Sequence, residues 1–303
     1  MLPQRVELIE VSPRDGLQNE PEILSTDDKI ALIGRAAAAG AKRIEATSFV
    51  NPRRVPQMAD AEAVMAGLPR PAGVSYIGLV LNRRGFDRAL AARCDEVNYA
   101  VVATDTFSRR NQGTTTEEGL KLHDEICAAA RAANIPYTVT IAATFGCPFE
   151  GEVPETRIAD IARRLAVGRP HEIALADTIG VAAPTAVTRL IAAVRDAAPG
   201  IPLRVHFHNT RNTGIANVYA AVEAGVTAID ASIGGIGGCP FAPAATGNVA
   251  SEDVIYMLER MGVRTGVNLP ALIETAKWLE GRLGRPVPAM LSRAGMFPPA
   301  AAA

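Results

Sequence analysis

A closed (β/α)8 barrel is the fold this sequence predicts, and three observations predict it. Eight short runs rich in apolar and β-branched residues recur along the chain. Segments with a 3.6-residue apolar period lie between them, and polar residues collect at the C-terminal ends of the runs. The runs are 5–12, 41–49, 74–81, 96–103, 137–146, 172–178, 202–208 and 227–235. Continuous apolar runs of this kind suit parallel strands covered on both faces.

The helical segments carry their own start and stop signals. In "STDDKIALIGRAAAAG", Ser25 and Thr26 are cap candidates, Asp27 and Asp28 suit the positive helix end, and Gly40 is a stop. "TEEGLKLHDEICAAARAANIP" and "PTAVTRLIAAVRDAAPG" repeat the apolar stripe. A doubly wound open sheet is the rival fold. It asks for a Gly-rich turn after the first strand, and that turn reads "SPRDGLQ" with no G-x-G-x-x-G. No linker divides the chain. The expectation is one domain over 1–303, with a barrel of about 5–262, a helical extension of about 263–298 and a frayed "PPAAAA" tail.

Composition narrows the function classes. A net charge of −1 gives no basic surface for nucleic acid or anionic membranes, so neither is an expected partner. Apolar stretches are broken well short of a membrane span. Cys94, Cys127, Cys147 and Cys239 form no C-x-x-C pair, and reduced thiols are the default for a chain of this size. The start "MLPQRVELIE" has no signal-peptide pattern, and a soluble cytoplasmic protein is the expectation.

Barrel active sites form where strands end. Arg14 and Asp15 follow the first run; Glu45 and Ser48 close the second; Asp177 ends the sixth; His206 and His208 end the seventh; a Gly-rich turn with Cys239 and Asn248 follows the eighth. Residues two apart in a strand share a face, so His206 and His208 project together. Two imidazoles are half of a metal site. Asp15 can add a carboxylate oxygen and Asn248 an amide oxygen. This mixed set without thiolate favours Mg²⁺ or Mn²⁺ over structural zinc.

"VSPRDGLQNE", "IEATSFVNPRRVPQMAD", "LADTIG", the H-x-H pair and "IGGIGGCPFAPAATGNVASEDVIYML" together resemble 3-hydroxy-3-methylglutaryl-CoA lyases, of the DRE-TIM metallolyases, over about residues 5–285. The resemblance implies that Asp15, His206, His208 and Asn248 are the metal ligands. It implies catalytic or substrate-contacting roles for Arg14, Glu45, Asp177 and Cys239, with Gln18 and Ser48 on the substrate side. It further implies an acyl-CoA substrate cleaved to acetyl-CoA and a keto acid, and a homodimer.

That chemistry asks for these residue types. A retro-Claisen cleavage removes the C3 hydroxyl proton and leaves a thioester enolate. A divalent ion lowers the hydroxyl pKa, a guanidinium such as Arg14 stabilises the enolate, and a thiol such as Cys239 protonates it. Glu45, Asp15 and His206 all stand as candidates for the base. After the second histidine the family reads roughly D-T-Y-G-Q-A, whereas this chain reads Asn209-Thr210-Arg211-Asn212-Thr213-Gly214; Pro21 stands where Lys is common. Arg211 and Asn212 are therefore candidates for reading the substrate's distal end, against a plain solvent-facing or helix-capping role for Arg211. Citramalate and isopropylmalate synthases also carry Asn after H-x-H, which keeps a Claisen-type acyltransferase as the alternative activity. A non-catalytic metal-binding barrel is the third reading.

Overall fold

Eight parallel strands close into a barrel in sequence order, each hydrogen-bonded to the next and β8 to β1. The computed structural model describes residues 2–238 and 247–298. The first half runs β1 (Glu7–Glu10), α1 (Thr26–Ala38), β2 (Arg43–Ser48), α2 (Ala61–Gly67), β3 (Ser75–Val80), α3 (Arg83–Ala91), β4 (Glu96–Val102), α4 (Asp105–Gln112) and α5 (Thr116–Ala132). The second half runs β5 (Tyr137–Ala142), α6 (Glu155–Val167), β6 (Glu172–Asp177), α7 (Pro184–Ala197), β7 (Leu203–Phe207), α8 (Gly214–Glu223), β8 (Ala228–Ala231) and α9 (Ser251–Arg260). Helices α10 (Leu269–Leu283) and α11 (Leu291–Ala294) follow, α10 packing on α1.

Local chemistry sets these boundaries. Ser25 caps α1 by accepting from the Asp28 amide. A capping box between Thr115 and Glu118 starts α5. All eight predicted strands form, but three stop early. The first run gives way to a π-helical turn, Ser12–Gly16, with Pro13 at its start. The fifth ends at Ala142 because Ala143 takes a positive φ of 60°. The eighth ends at Ala231, before a 3-10 turn over Ile233–Gly235.

The main apolar core lies between barrel and helices. The barrel interior is different. Its buried apolar cluster is Ile9, Val11, Ile77 and Ala228, and much of the remainder is charged. Arg43 donates to Glu96 through Nη2 at 2.6 Å and Nε at 3.1 Å, and to Glu172 through Nη2 at 3.1 Å. Thr138 donates to Glu96 at 2.6 Å. The buried Arg204 lies 3.5 Å from Glu172 and 3.4 Å from Asp230. This lattice closes the lower end of the barrel and leaves the upper end open. Among the described residues, no helix is long and apolar enough to cross a membrane.

Candidate active site

The open end holds a cavity of about 1050 Å³, and Arg14, Asp15, Gln18, His206 and His208 line it. Two contacts fix the turn that carries Arg14 and Asp15. Its Gly16 faces the exit of β8 so closely that a Cβ would stand 2.8 Å from Ile236 Cγ1. Glu45, buried on β2, accepts from Arg14 Nε at 2.6 Å and pairs with its Nη2 at 2.5 Å. The remaining Arg14 Nη1 donates to Asp15 at 2.6 Å. The Arg14 guanidinium is thus held between two carboxylates. Burial works to lower its pKa; Glu45 and Asp15 override that and push it up.

His206 and His208 extend from β7 on one face, with ring centroids 5.2 Å apart. His206 Nδ1 lies 3.1 Å from Asp230 Oδ2 on β8. A proton on Nδ1 satisfies that carboxylate and leaves the Nε2 lone pair facing inward. Both Nε2 atoms stand 3.7 Å from Asp15 Oδ2, and the donor atoms of Asp15, His206 and His208 lie within 4.8 Å of one another. At 3.7 Å these are not hydrogen bonds. Donors about 2.1 Å from a shared ion, set 90–120° apart, are roughly 3–3.6 Å apart, so the spacing fits a divalent ion.

The electrostatics agree with that fit. Burial opposes ionisation of Asp15, yet Arg14, both imidazoles and the Asn248 amide hold its carboxyl far below the usual range. Burial and the neighbouring His206 push His208 down to about 4, which keeps it neutral with a free lone pair. Burial also works to lower His206, but its bond to Asp230 and the charge of Asp15 leave it raised. Asn248 is brought in by a backbone bridge to His208, and its Nδ2 donates to Asp15 Oδ2 at 2.8 Å and to the Ile236 carbonyl at 3.1 Å. To present its oxygen to an ion, that amide must turn over.

The other predicted residues divide clearly. Gln18 lines the cavity. Ser48 is fully buried beneath it and donates to Gln18 Oε1 at 3.4 Å. Glu45 has both oxygens occupied, Oε2 by Arg14 and Oε1 by Asn98 Nδ2 at 2.9 Å. Asp177 spends both oxygens on the Val181 and Ala182 amides, each at 2.9 Å, so it shapes the β6–α7 turn instead of facing the cavity. Arg211 and Asn212 are not brought to the site. Arg211 is exposed and donates to the Ile179 and Gly180 carbonyls at 3.0 and 2.9 Å, which ties its guanidinium to the β6–α7 loop. Asn212 turns outward with a φ of 57°. Cys239 lies outside the described residues.

Sequence reasoning passed over Asp230, the partner of His206, and the polar pair Asn98 and Thr140 on the cavity floor. Asp230 had a signal: an acid inside the apolar run 227–235, on the inward face. Cys94, Cys127 and Cys147 are free and buried.

A family model described as HMGL-like matches residues 5–279. The chain is 42% identical to an (R)-citramalyl-CoA lyase of Chloroflexus aurantiacus, over 96% of this chain and 95% of that one. It is also 42% identical to the mitochondrial hydroxymethylglutaryl-CoA lyase of Gallus gallus, over 96% and 98%. Among solved structures, the HMG-CoA lyase of Bacillus subtilis superposes with a TM-score of 0.94 at 39% identity, covering 97% of this chain and 98% of that one. An Acinetobacter baumannii HMG-CoA lyase in complex with coenzyme A and 3-methylmalate matches with a TM-score of 0.94 at 39% identity, covering 97% and 96%.

Proposed function

The chain belongs to the HMGL-like family and is a carbon–carbon lyase, and from that premise we propose a divalent-metal-dependent acyl-CoA lyase. Its substrate is 3-hydroxy-3-methylglutaryl-CoA or a close 3-hydroxy dicarboxyl-CoA, cleaved to acetyl-CoA and a keto acid such as acetoacetate. The observation that carries this reading is the convergence of Asp15, His206 and His208 beside a doubly anchored Arg14 in one cavity.

Asp15, His206, His208 and, with its amide turned over, Asn248 would hold Mg²⁺ or Mn²⁺. A divalent ion bound there supplies positive charge beside the C3 hydroxyl and eases its deprotonation. Arg14 faces the thioester end and stabilises the oxyanion as the C2–C3 bond breaks. Glu45 keeps the guanidinium in place, so its contribution comes through Arg14. Asp177 acts through the turn it caps. Asp15 and His206 remain as base candidates with an atom facing the cavity. Cys239 keeps the role of proton donor to the enolate carbon, as the sequence suggests.

The relatives support cleavage over the acyltransferase alternative, since those named above are lyases. The equal identity to a citramalyl-CoA lyase makes (R)-citramalyl-CoA the second substrate to test. A cytoplasmic homodimer belongs to the same reading; sedimentation of the purified chain checks the assembly. The deciding experiment measures acetyl-CoA release from both esters after chelation, with and without added Mg²⁺ or Mn²⁺. Release that depends on the added ion is expected. Full turnover in verified metal-free protein would sink the metal role, and no release from either ester would sink the substrate class.

A further inference from the structure

Inward positions of a closed eight-stranded barrel are normally filled by branched side chains. Around β1 and β3 they are: Ile9, Val11 and Ile77 are fully buried. Across the barrel the inward positions are small. Ala100 on β4, and Thr140 and Ala142 on β5, are only half-buried although they stand inside the barrel, because the cavity reaches down to them. Ala100 and Thr140 are register partners, so the two side chains lie side by side and leave a recess between them and the open end.

The floor of this recess is polar and uncharged at its surface. Thr140 Oγ1 donates to Asn98 Oδ1 at 3.0 Å, and Asn98 Nδ2 donates to Glu45 Oε1 at 2.9 Å. Neither the second N–H of the Asn98 amide nor the lone pairs of the Thr140 hydroxyl is engaged among the described residues. Among those residues, the arginines lining the cavity are Arg14, Arg54 and Arg285. Arg14 is committed to Glu45 and Asp15. Arg54 donates to the Arg110 carbonyl on α4, above the floor, and Arg285 follows α10 where it pairs with Glu20. Glu45 stands one hydrogen bond behind Asn98, so a carboxylate in the recess would meet an acid and no cation.

We infer that this recess receives the substituent on the substrate's third carbon, and that the protein prefers an uncharged substituent longer than methyl. The inference rests on the lyase reading, which holds the hydroxyl at the β1–β7 cluster and the thioester near Arg14. The remaining arm of a tertiary third carbon then points across the barrel toward β4 and β5. The carboxylate arm is disfavoured there by Glu45 behind Asn98.

The test is a panel of 3-hydroxyglutaryl-CoA esters whose third carbon carries methyl, ethyl, propyl or 2-carboxyethyl, assayed by acetyl-CoA release. Specificity for added methylenes is worth about 10-fold or more, so kcat/KM should climb at least ~10-fold from methyl to propyl. It should fall at least ~10-fold from propyl to 2-carboxyethyl. Ala100→Phe fills the recess and should bring the propyl-to-methyl ratio of kcat/KM down to about 1; Ala142→Leu serves if that variant does not fold. A profile that is flat or falls with length, with the methyl ester still cleaved, overturns the recess and spares the lyase reading. (R)-citramalyl-CoA is the control: its cleavage with none of the panel cleaved overturns the recess and spares the lyase reading, and cleavage of neither overturns both.

Discussion

Two groups of buried charges share one barrel. In the lower one every charge has a partner: Arg43 bridges Glu96 and Glu172, Thr138 adds a donor, and Arg204 stands between Glu172 and Asp230. In the upper one, the Nε2 atoms of His206 and His208 each stand 3.7 Å from Asp15 Oδ2 without hydrogen-bonding to it. The lower cluster is closed and compensated, which is what buried ions need in order to be tolerated. The upper cluster opens to a cavity and gathers donor atoms at a spacing that fits a shared cation. Chemical composition alone would not separate the two; compensation and access do.

Breaking the upper cluster should have the largest effect on turnover and little on folding. Asp15→Asn or His208→Ala is expected to lower kcat/KM by more than about 10³-fold and to weaken Mn²⁺ binding in titration calorimetry. The melting temperature should stay near the parent value. A collapse of stability with metal affinity retained would reverse the assignment of the two clusters.

The lower cluster should answer in the opposite way. Arg43→Met strands Glu96 and Glu172 in the barrel floor. Removing one partner of a buried ion pair typically costs about 3–5 kcal/mol. Chemical denaturation should show a loss of that order, while the folded fraction keeps its KM for the acyl-CoA.

Arg14 belongs to the upper region but is not a metal donor. Arg14→Gln removes charge stabilisation made mainly in the transition state, so kcat should fall ~10²–10³-fold, with metal affinity changed far less. Parent-like kcat would remove Arg14 from the chemistry.

Asp230 joins the two regions, since Arg204 lies below it and His206 above. Asp230→Asn keeps the shape and removes the charge that orients the imidazole. Outer partners of metal-binding histidines are typically worth about 10–100-fold in metal affinity. An affinity loss in that range, recovered at higher Mn²⁺ concentration, is expected. Unchanged affinity would mean that the histidine is positioned by β7 alone.

The sequence made the upper region legible because its residue types are rare in apolar runs and fall at strand ends. His206 and His208 share a face by strand geometry, and Asp15 follows from the closure of the barrel. For Asp177 and Arg211 the sequence leaves two destinations open. A polar side chain at a strand end can serve the cavity or the loop backbone, and only the positions of the Val181, Ala182, Ile179 and Gly180 backbone groups decide. The lower lattice was illegible because Arg43, Glu96, Glu172 and Arg204 are far apart in sequence and only the closed barrel brings them together. Alanines such as Ala100 carry no signal until the space beside them is seen.

The smallest effect on turnover is expected at another buried acid, Glu252 at the start of α9. It accepts from the Gly234 amide at 3.0 and 3.1 Å and so steadies the 3-10 turn after β8. Burial, with Glu10 and Asp253 nearby, pushes its pKa from 4.5 up to about 8. The folded chain therefore keeps a proton there that the unfolded chain releases above 4.5. Stability from this site is fully present below pH 4.5 and is lost as pH rises through about 8. Glu252→Gln keeps an acceptor for Gly234 and cannot ionise, so it should flatten that decline. Thermal melts of parent and variant should nearly coincide near pH 4.5 and diverge toward pH 8, the variant becoming the more stable by about 1–3 kcal/mol, with kcat within about 3-fold at each pH. Parallel melting curves across that range would show that Glu252 is ionised in the folded chain, and would place this carboxylate with the compensated charges of the barrel floor.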